Sequence, residues 1–350
     1  MESAIGRGET IRDRPIIIHA SHTHSSGRSS RFFTIEEKRQ KKSGVSLEND
    51  ELIQLYVPNS DEEVWFCSFV AVNSCLYFIG LRRCRNQVIA KGYMFLDLNI
   101  EERRWRWEQN GEFYNMSHCG ALACEDGFIY TVGVGRTYRV DPTTGASVVI
   151  PQFPEELGSV PSLIWASEKK LLGYAMRRGI DGANLLVCCD LESGGKWEAL
   201  TEKPFWGYWS KGVLLYDRYL FSFGLGHPYE EDRLRTANVY VFDIEQRQWL
   251  PEPVDGLPND GKVLPFIPPK TELGVGNVNP YLFLIGVDQG LPKLALVWAT
   301  CEGGQGTVYC TKFIVSRDDS TVSLFKARIV SSGVHLLGKD TWFLKCAARV

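Results

Sequence analysis

One pattern recurs along this chain: a short strand-like run, a polar turn, then a strongly apolar run ending near glycine. It is seen at Phe69–Gly80, Gly120–Gly133, Ser162–Gly173, Gly212–Gly224 and Gly333–Lys345, and in shorter form at Pro280–Gly286. Apolar runs of this length, bounded by Asn, Asp and Gly, read as strands joined by tight turns. Their spacing of roughly 40 to 60 residues is that of sheet repeats, not of helical solenoids. The 33 glycines and 10 tryptophans against 4 methionines fit many short strands better than a helical bundle.

A second half-motif follows several of these hairpins. Tyr93–Asp97 is followed by Trp105, Leu185–Asp190 by Trp197, and Tyr240–Asp243 by Trp249, while Tyr138–Asp141 runs straight into a Pro-Thr-Thr-Gly turn. A strand that ends at Asp places a carboxylate where it caps the turn back, and an aromatic on the return strand has a large face to pack between repeats. The last repeat is incomplete at the C-terminus. Residues 31–57, with Arg31–Glu36 and Leu52–Val57, supply its missing outer strand or strands, so both chain ends close one sheet and remove an exposed edge. The expected fold is all-β: a single β-propeller of six four-stranded blades, closed by N- and C-terminal strands. Residues 31–350 form this domain, and residues 1–30 read as a disordered leader, because Ala20–Arg31 is rich in Ser, His, Gly and Arg.

Four apolar residues ending in glycine, then Tyr, then apolar-Asp-apolar, then Trp resembles the kelch repeat of galactose-oxidase-like propellers. Leu220–Gly224, Tyr240–Ile244 and Trp249 carry the fullest match. The paired glycines of that family are replaced by Gly224-Leu-Gly226 and Gly133-Val-Gly135, the second blade lacks the tryptophan, and the fifth keeps little beyond its apolar strands. The chain is similar to a divergent kelch member. Residues 1–60 show no three-helix apolar pattern, so no F-box is evident.

In propellers of the kind that the resemblance implies, two loop sets share a binding face. Here they are Leu81–Asn86, Leu225–Arg235 and Asp288–Gly306, together with Glu112–His118 and Lys203–Trp209. Arginines mixed with aromatics dominate interface energetics. The candidate face is therefore Arg82, Arg83, Arg85, Tyr114, His118, Trp206, Tyr208, His227, Tyr229 and Arg233. The competing reading packs Phe205, Trp206, Tyr208 and Trp209 between blades.

Enzyme signatures are weak. His22-Thr-His24 has metal-ligand residue types but falls in the leader, and His118 and His227 find only Glu230 or Glu231 nearby. No GxSxG, P-loop or GxGxxG at a strand–helix junction is present. No catalytic residue, cofactor or metal is expected, and the sequence favours a non-enzyme over an enzyme. The 10 cysteines include no CxxC and read as buried free thiols of a reducing compartment. The net charge is -3, the N-terminal residues are polar, and every apolar run is too short to span a bilayer, so no membrane partner is expected. Lys38–Lys42 and Arg103–Trp107 are basic, but on a strand Trp105 and Trp107 face away from the arginines, which leaves nucleic acid a minor reading. The function expected is a non-enzymatic protein-interaction scaffold that recognises another protein on one loop face, in cytoplasm or nucleus; the alternative is a small-molecule or sugar-binding, isomerising propeller enzyme.

Overall fold

A computed structural model describes residues 16–24, 27–38, 49–55, 63–72, 75–84, 87–97, 106–108, 120–123, 127–133, 136–159, 162–176, 183–201, 205–206, 208–209, 212–216, 218–225, 237–258, 260, 263–264, 280–302, 305–320, 323–338 and 342–349. Almost all of them lie in antiparallel sheets. The chain divides into two compact units, residues 1–55 with 206–349 and residues 56–205 with 350.

The unit of residues 56–205 holds three meanders. The first is β4 (Glu63–Val72), β5 (Cys75–Cys84), β6 (Gln87–Asp97) and β7 (Arg106–Glu108). The second is β8 (Gly120–Ala123), β9 (Ile129–Gly133), β10 (Arg136–Val140) and β11 (Ser147–Ile150). The third runs β12 (Ser162–Ala166), β13 (Lys170–Met176), β14 (Ala183–Asp190) and β15 (Lys196–Ala199). Burial falls from the inner to the outer strands. All residues of β13 except its two end residues are buried, as a strand covered on both faces requires, whereas β11 exposes Val148 and Val149. Leu163, Leu171, Val187 and Cys189 of the third meander pack with Tyr130, Ile150 and Phe153 of the second, which joins the two sheets face to face.

β16 (Phe205–Trp206) lies where the two units meet in sequence. The other unit continues with β17 (Tyr208–Trp209), β18 (Val213–Leu215), β19 (Tyr219–Leu225), β20 (Ala237–Asp243) and β21 (Gln248–Trp249); β17 and β18 both pair with β19. Next come β22 (Tyr281–Asp288), β23 (Leu291–Glu302), β24 (Gln305–Arg317) and β25 (Phe325–Gly338). The last sheet joins the two ends of the chain. It runs β26 (Trp342–Arg349), β1 (Ile16–His24), β2 (Gly27–Lys38) and β3 (Asn49–Leu55). Phe221, Phe223, Trp298, Phe313 and Phe325 fill the core between the sheets of β19 and β24, and Phe325 meets Tyr219 and Phe221 edge to face at 5.0 and 4.9 Å. Each such buried ring contributes roughly 1.5–3 kcal/mol of transfer free energy.

The closing sheet confirms the expected role of residues 31–57 as outer strands, and corrects three other expectations. Ile16–His24 is a strand, although the sequence places it in a leader. Its Ile16, Ile17 and Ile18 are buried, and the unpaired edge of β26 supplies hydrogen-bond partners that the polar His19–His24 stretch does not signal. Residues 1–15 lie outside the described residues. Asp288–Gly306 is not one loop: Leu291–Glu302 is a fully paired strand, and Pro280–Gly286 belongs to the first strand of its sheet, not the second. Gly333–Lys345 is not a hairpin either, because β25 pairs with β24 and β26 with β1.

Candidate functional site

Three of the Asp turns expected from sequence are formed, and the one after Asp97, with Trp105, lies outside the described residues. Asp141 Oδ1 accepts the Thr143 N–H at 2.8 Å, Asp190 Oδ1 accepts those of Glu192 and Ser193, and Asp243 Oδ1 accepts those of Glu245 and Gln246. The sheet of β22–β25 has one as well: Asp318, directly after β24, accepts the N–H and hydroxyl of Ser320. Sequence reading missed it because no tyrosine precedes it and no tryptophan follows at the usual spacing. These carboxylates are structural caps, and the hydrogen bonds they accept hold Asp141 below the usual carboxylate range.

Four of the ten cysteines are described as free thiols, of which Cys75 is half-buried. Cys188, Cys189 and Cys310 are buried free thiols. Burial first, then the neighbouring Cys188 and Asp190, push the Cys189 thiol up to about 12, so it stays protonated and unreactive.

A concavity lies beyond Trp249. Leu250 N–H donates to Val241 O, and Val254 N–H donates to Val239 O, so this segment extends the edge of β20. Between those bonds stand Pro251 and Pro253, which have no N–H to donate and bulge the chain outward. One residue later the chain changes partner. Asp255 N–H donates to Phe325 O and Ala327 N–H donates to Asp255 O, a single parallel bridge onto β25. Gly256 then turns away at φ +85°, with the Ala327 carbonyl oxygen where a Cβ would be.

This change of partner opens a cleft of about 560 Å³ lined by Asn238, Glu252, Asp255, Ser323 and Lys326 beside the backbone of residues 253–257. Most of its polar groups are already committed. Ser323 Oγ donates to Pro253 O at 2.7 Å, Asp255 Oδ1 accepts the Gly256 N–H, and Asn238 Oδ1 accepts the Val239 N–H. Lys326 Nζ is 2.9 Å from Asp318 Oδ2, outside the lining. Hydrogen bonds from Ser320 and Lys326 lower Asp318 to about 2, so this carboxylate stays charged at neutral pH. Among the lining residues, Glu252 and Asp255 supply two carboxylates, and the one ammonium, that of Lys326, is already paired with Asp318.

None of the sequence-nominated residues that are described lines this cleft. Arg82 and Arg83 lie within β5, opposite Val64 and Glu63, and not in a loop. Trp206 is in β16 and Tyr208 in β17, where Tyr208 pairs with Leu225. Arg85, Tyr114, His118, His227, Tyr229 and Arg233 lie outside the described residues. Sequence reading missed the cleft because Glu252, Asp255 and Lys326 belong to no motif; the signal that could have found it is the run Pro251-Glu-Pro-Val-Asp-Gly256, which was not singled out. Among the described residues, no group of three or more His, Cys, Asp or Glu side chains is placed to hold a metal ion, and no helix is long and apolar enough to cross a membrane.

No family model matches the chain, and no curated protein matches it. Among solved structures it is similar to the β-propeller domain of the Trilobed protease from Pyrococcus furiosus, at 10% identity and a TM-score of 0.36, over 79% of this chain and 95% of that one. It is also similar to the tricorn protease, at 10% identity and a TM-score of 0.35, over 95% of this chain but only 39% of that one. Both are structures from proteases, where a non-enzymatic interaction scaffold was expected. At such TM-scores the likeness brings no activity to this chain; the fold is nearly all β, in antiparallel sheets of four or five strands.

Proposed function

We propose that the chain is a ligand-binding propeller whose cleft at Glu252–Leu257 takes a small polar molecule bearing a primary ammonium group. The observation that carries this reading is the charge balance of the cleft: Glu252 and Asp255 face a space where Lys326 is already held by Asp318. A cation entering there meets two acceptors without having to displace a partner from either, and nearby opposite charge favours the ammonium form. The Asn238 amide nitrogen adds a donor for a hydroxyl or carbonyl on the same molecule. The six sheets are read as six kelch-type blades, three in each unit. The Asp turns at Asp141, Asp190 and Asp243 and the return-strand Trp197 and Trp249 support that type.

The test compares putrescine with 1,4-butanediol, its neutral isostere, by isothermal titration at low salt. Putrescine is expected to bind and butanediol not. The double variant Glu252→Gln, Asp255→Asn keeps both side-chain shapes and the acceptor for Gly256, and is expected to lose that binding. Equal binding of both probes, or unchanged putrescine binding by the variant, would overturn the reading.

A further inference from the structure

Lys326 stands between two carboxylates. On one side it faces Asp255 across the parallel bridge, whose backbone bonds run from Asp255 N–H to Phe325 O and from Ala327 N–H to Asp255 O. On the other side it is in register with Ser316 of β24, and Asp318 lies two residues further along, directly after that strand. Facing and diagonal positions of a ladder are both within reach of a long side chain, so the ammonium has two acceptors at hand. It takes Asp318: Nζ is 2.9 Å from Oδ2, while the Ser320 N–H and hydroxyl hold Oδ1. Asp255 Oδ1 accepts the N–H of its own neighbour Gly256, and among the described residues neither Asp255 nor Glu252 is in an ion pair.

We propose that Asp318, which lies outside the cleft lining, sets the specificity of the cleft: by holding Lys326 off Asp255 it reserves the site for an amine without a carboxylate, a diamine rather than the diamino acid of the same chain. This rests on the ammonium-binding reading given above. With Lys326 held away, a ligand ammonium meets Glu252 and Asp255 with no internal lysine in its place. A carboxylate on the same ligand meets those two groups as like charges, and the nearest cation is already neutralised. The diamino acid is thus disfavoured by the charge it leaves unpaired. Lys326 and Asp318 are 40% and 31% exposed, so solvent weakens their hold and the discrimination is a modest factor.

Isothermal titration at low salt with putrescine and ornithine, which differ by the α-carboxylate, tests this. Wild type is expected to prefer putrescine. Asp318→Asn keeps an acceptor for the Ser320 N–H and releases Lys326, which then pairs with Asp255 or with the ornithine carboxylate. Either way the ratio of putrescine to ornithine affinity is expected to fall at least about five-fold. Asp319→Asn removes the same charge one residue away, from the carboxylate that pairs with Arg317, and is expected to leave the ratio at its wild-type value. Adding Lys326→Met to Asp318→Asn is expected to restore the ratio, which neither a general loss of negative charge nor a loosened turn would do. A wild type that prefers ornithine, an unchanged ratio in Asp318→Asn, an equal fall in Asp319→Asn, or no recovery in the double variant would each overturn the proposal while the ammonium reading stands. A wild type that binds neither probe overturns both.

Discussion

Arg218 Nε stands 3.0 Å from both carboxylate oxygens of Asp243, and Arg218 Nη2 is 2.6 Å from Oδ2. Arg218 closes the hairpin turn between β18 and β19, its N–H donating to Leu215 O, whereas Asp243 ends β20 and caps the turn to β21. One carboxylate therefore fixes two turns of a single sheet. Its side chain is 2% exposed while that of Arg218 is 30% exposed, so the guanidinium carries the pair's contact with solvent and also reaches Glu245 through Nη1.

Removing Asp243 takes away the partner of Arg218 and the acceptor for Glu245 and Gln246 together. Asp243→Ala is expected to cost about 3 kcal/mol in urea unfolding, and Asp243→Asn clearly less, because the amide oxygen still caps the turn. Equal losses for the two variants would show that the turn hydrogen bonds contribute nothing.

Acid should unfold this sheet region through its carboxylates. Burial opposes ionisation of Asp243, but the bonds from Arg218 and from the Gln246 and Glu245 N–H groups outweigh it and hold its carboxyl below the ordinary value. Asp318 is lowered to about 2. A depressed carboxyl stabilises the fold fully above its unfolded value near ~3.9 and loses that contribution as pH falls through the folded value. The difference in urea midpoint between wild type and Asp318→Asn should accordingly be constant from pH 7 to about pH 4, then shrink towards pH 2. A difference that persists unchanged at about pH 2.5 would argue against this assignment.

Trp197 shows how one return-strand aromatic links neighbouring sheets. Its indole N–H donates to Pro151 O at 2.9 Å and its ring meets Phe153 edge-on at 5.2 Å, both beyond β11 of the preceding sheet. At 4% exposure it is a core residue. Trp197→Phe removes the donor but keeps much of the ring and is expected to cost about 1 kcal/mol; Trp197→Ala should cost about 3–5 kcal/mol. Thermal unfolding of the two variants, if indistinguishable from wild type, would show that this contact does not hold the sheets together.

What was legible in the sequence was local. Asp190 and Asp243 with Trp197 and Trp249 occupy their expected places because a cap and a packed ring depend on spacing within one turn. Trp249 meets Phe242 of its own sheet edge to face at 5.3 Å. The misses were non-local. Nothing within His19–His24 signals a strand, since the edge of β26, more than 300 residues away in sequence, organises it. Arg82 and Arg83 read as loop residues because hairpins usually end near glycine, yet β5 continues four residues past Gly80. The cleft depends on Asp255 changing partner from β20 to β25, which no spacing of residue types encodes.

Gly256 gives that change of partner a direct test. Its φ of +85° is strained for any residue with a Cβ, and the added methyl would press on the Ala327 carbonyl oxygen, a backbone atom with no rotamer to yield. Gly256→Ala should therefore break the bridge between Asp255 and β25 before it disturbs the rest of the sheet. A loss of about 1–3 kcal/mol is expected, and in hydrogen exchange the amides of Asp255 and Ala327 should lose protection while those of Val239 and Val241 keep theirs. Because the bridge forms one wall of the cleft, the variant should also bind putrescine more weakly. Wild-type protection at Asp255 and Ala327 would mean that this glycine is not what lets the segment reach β25.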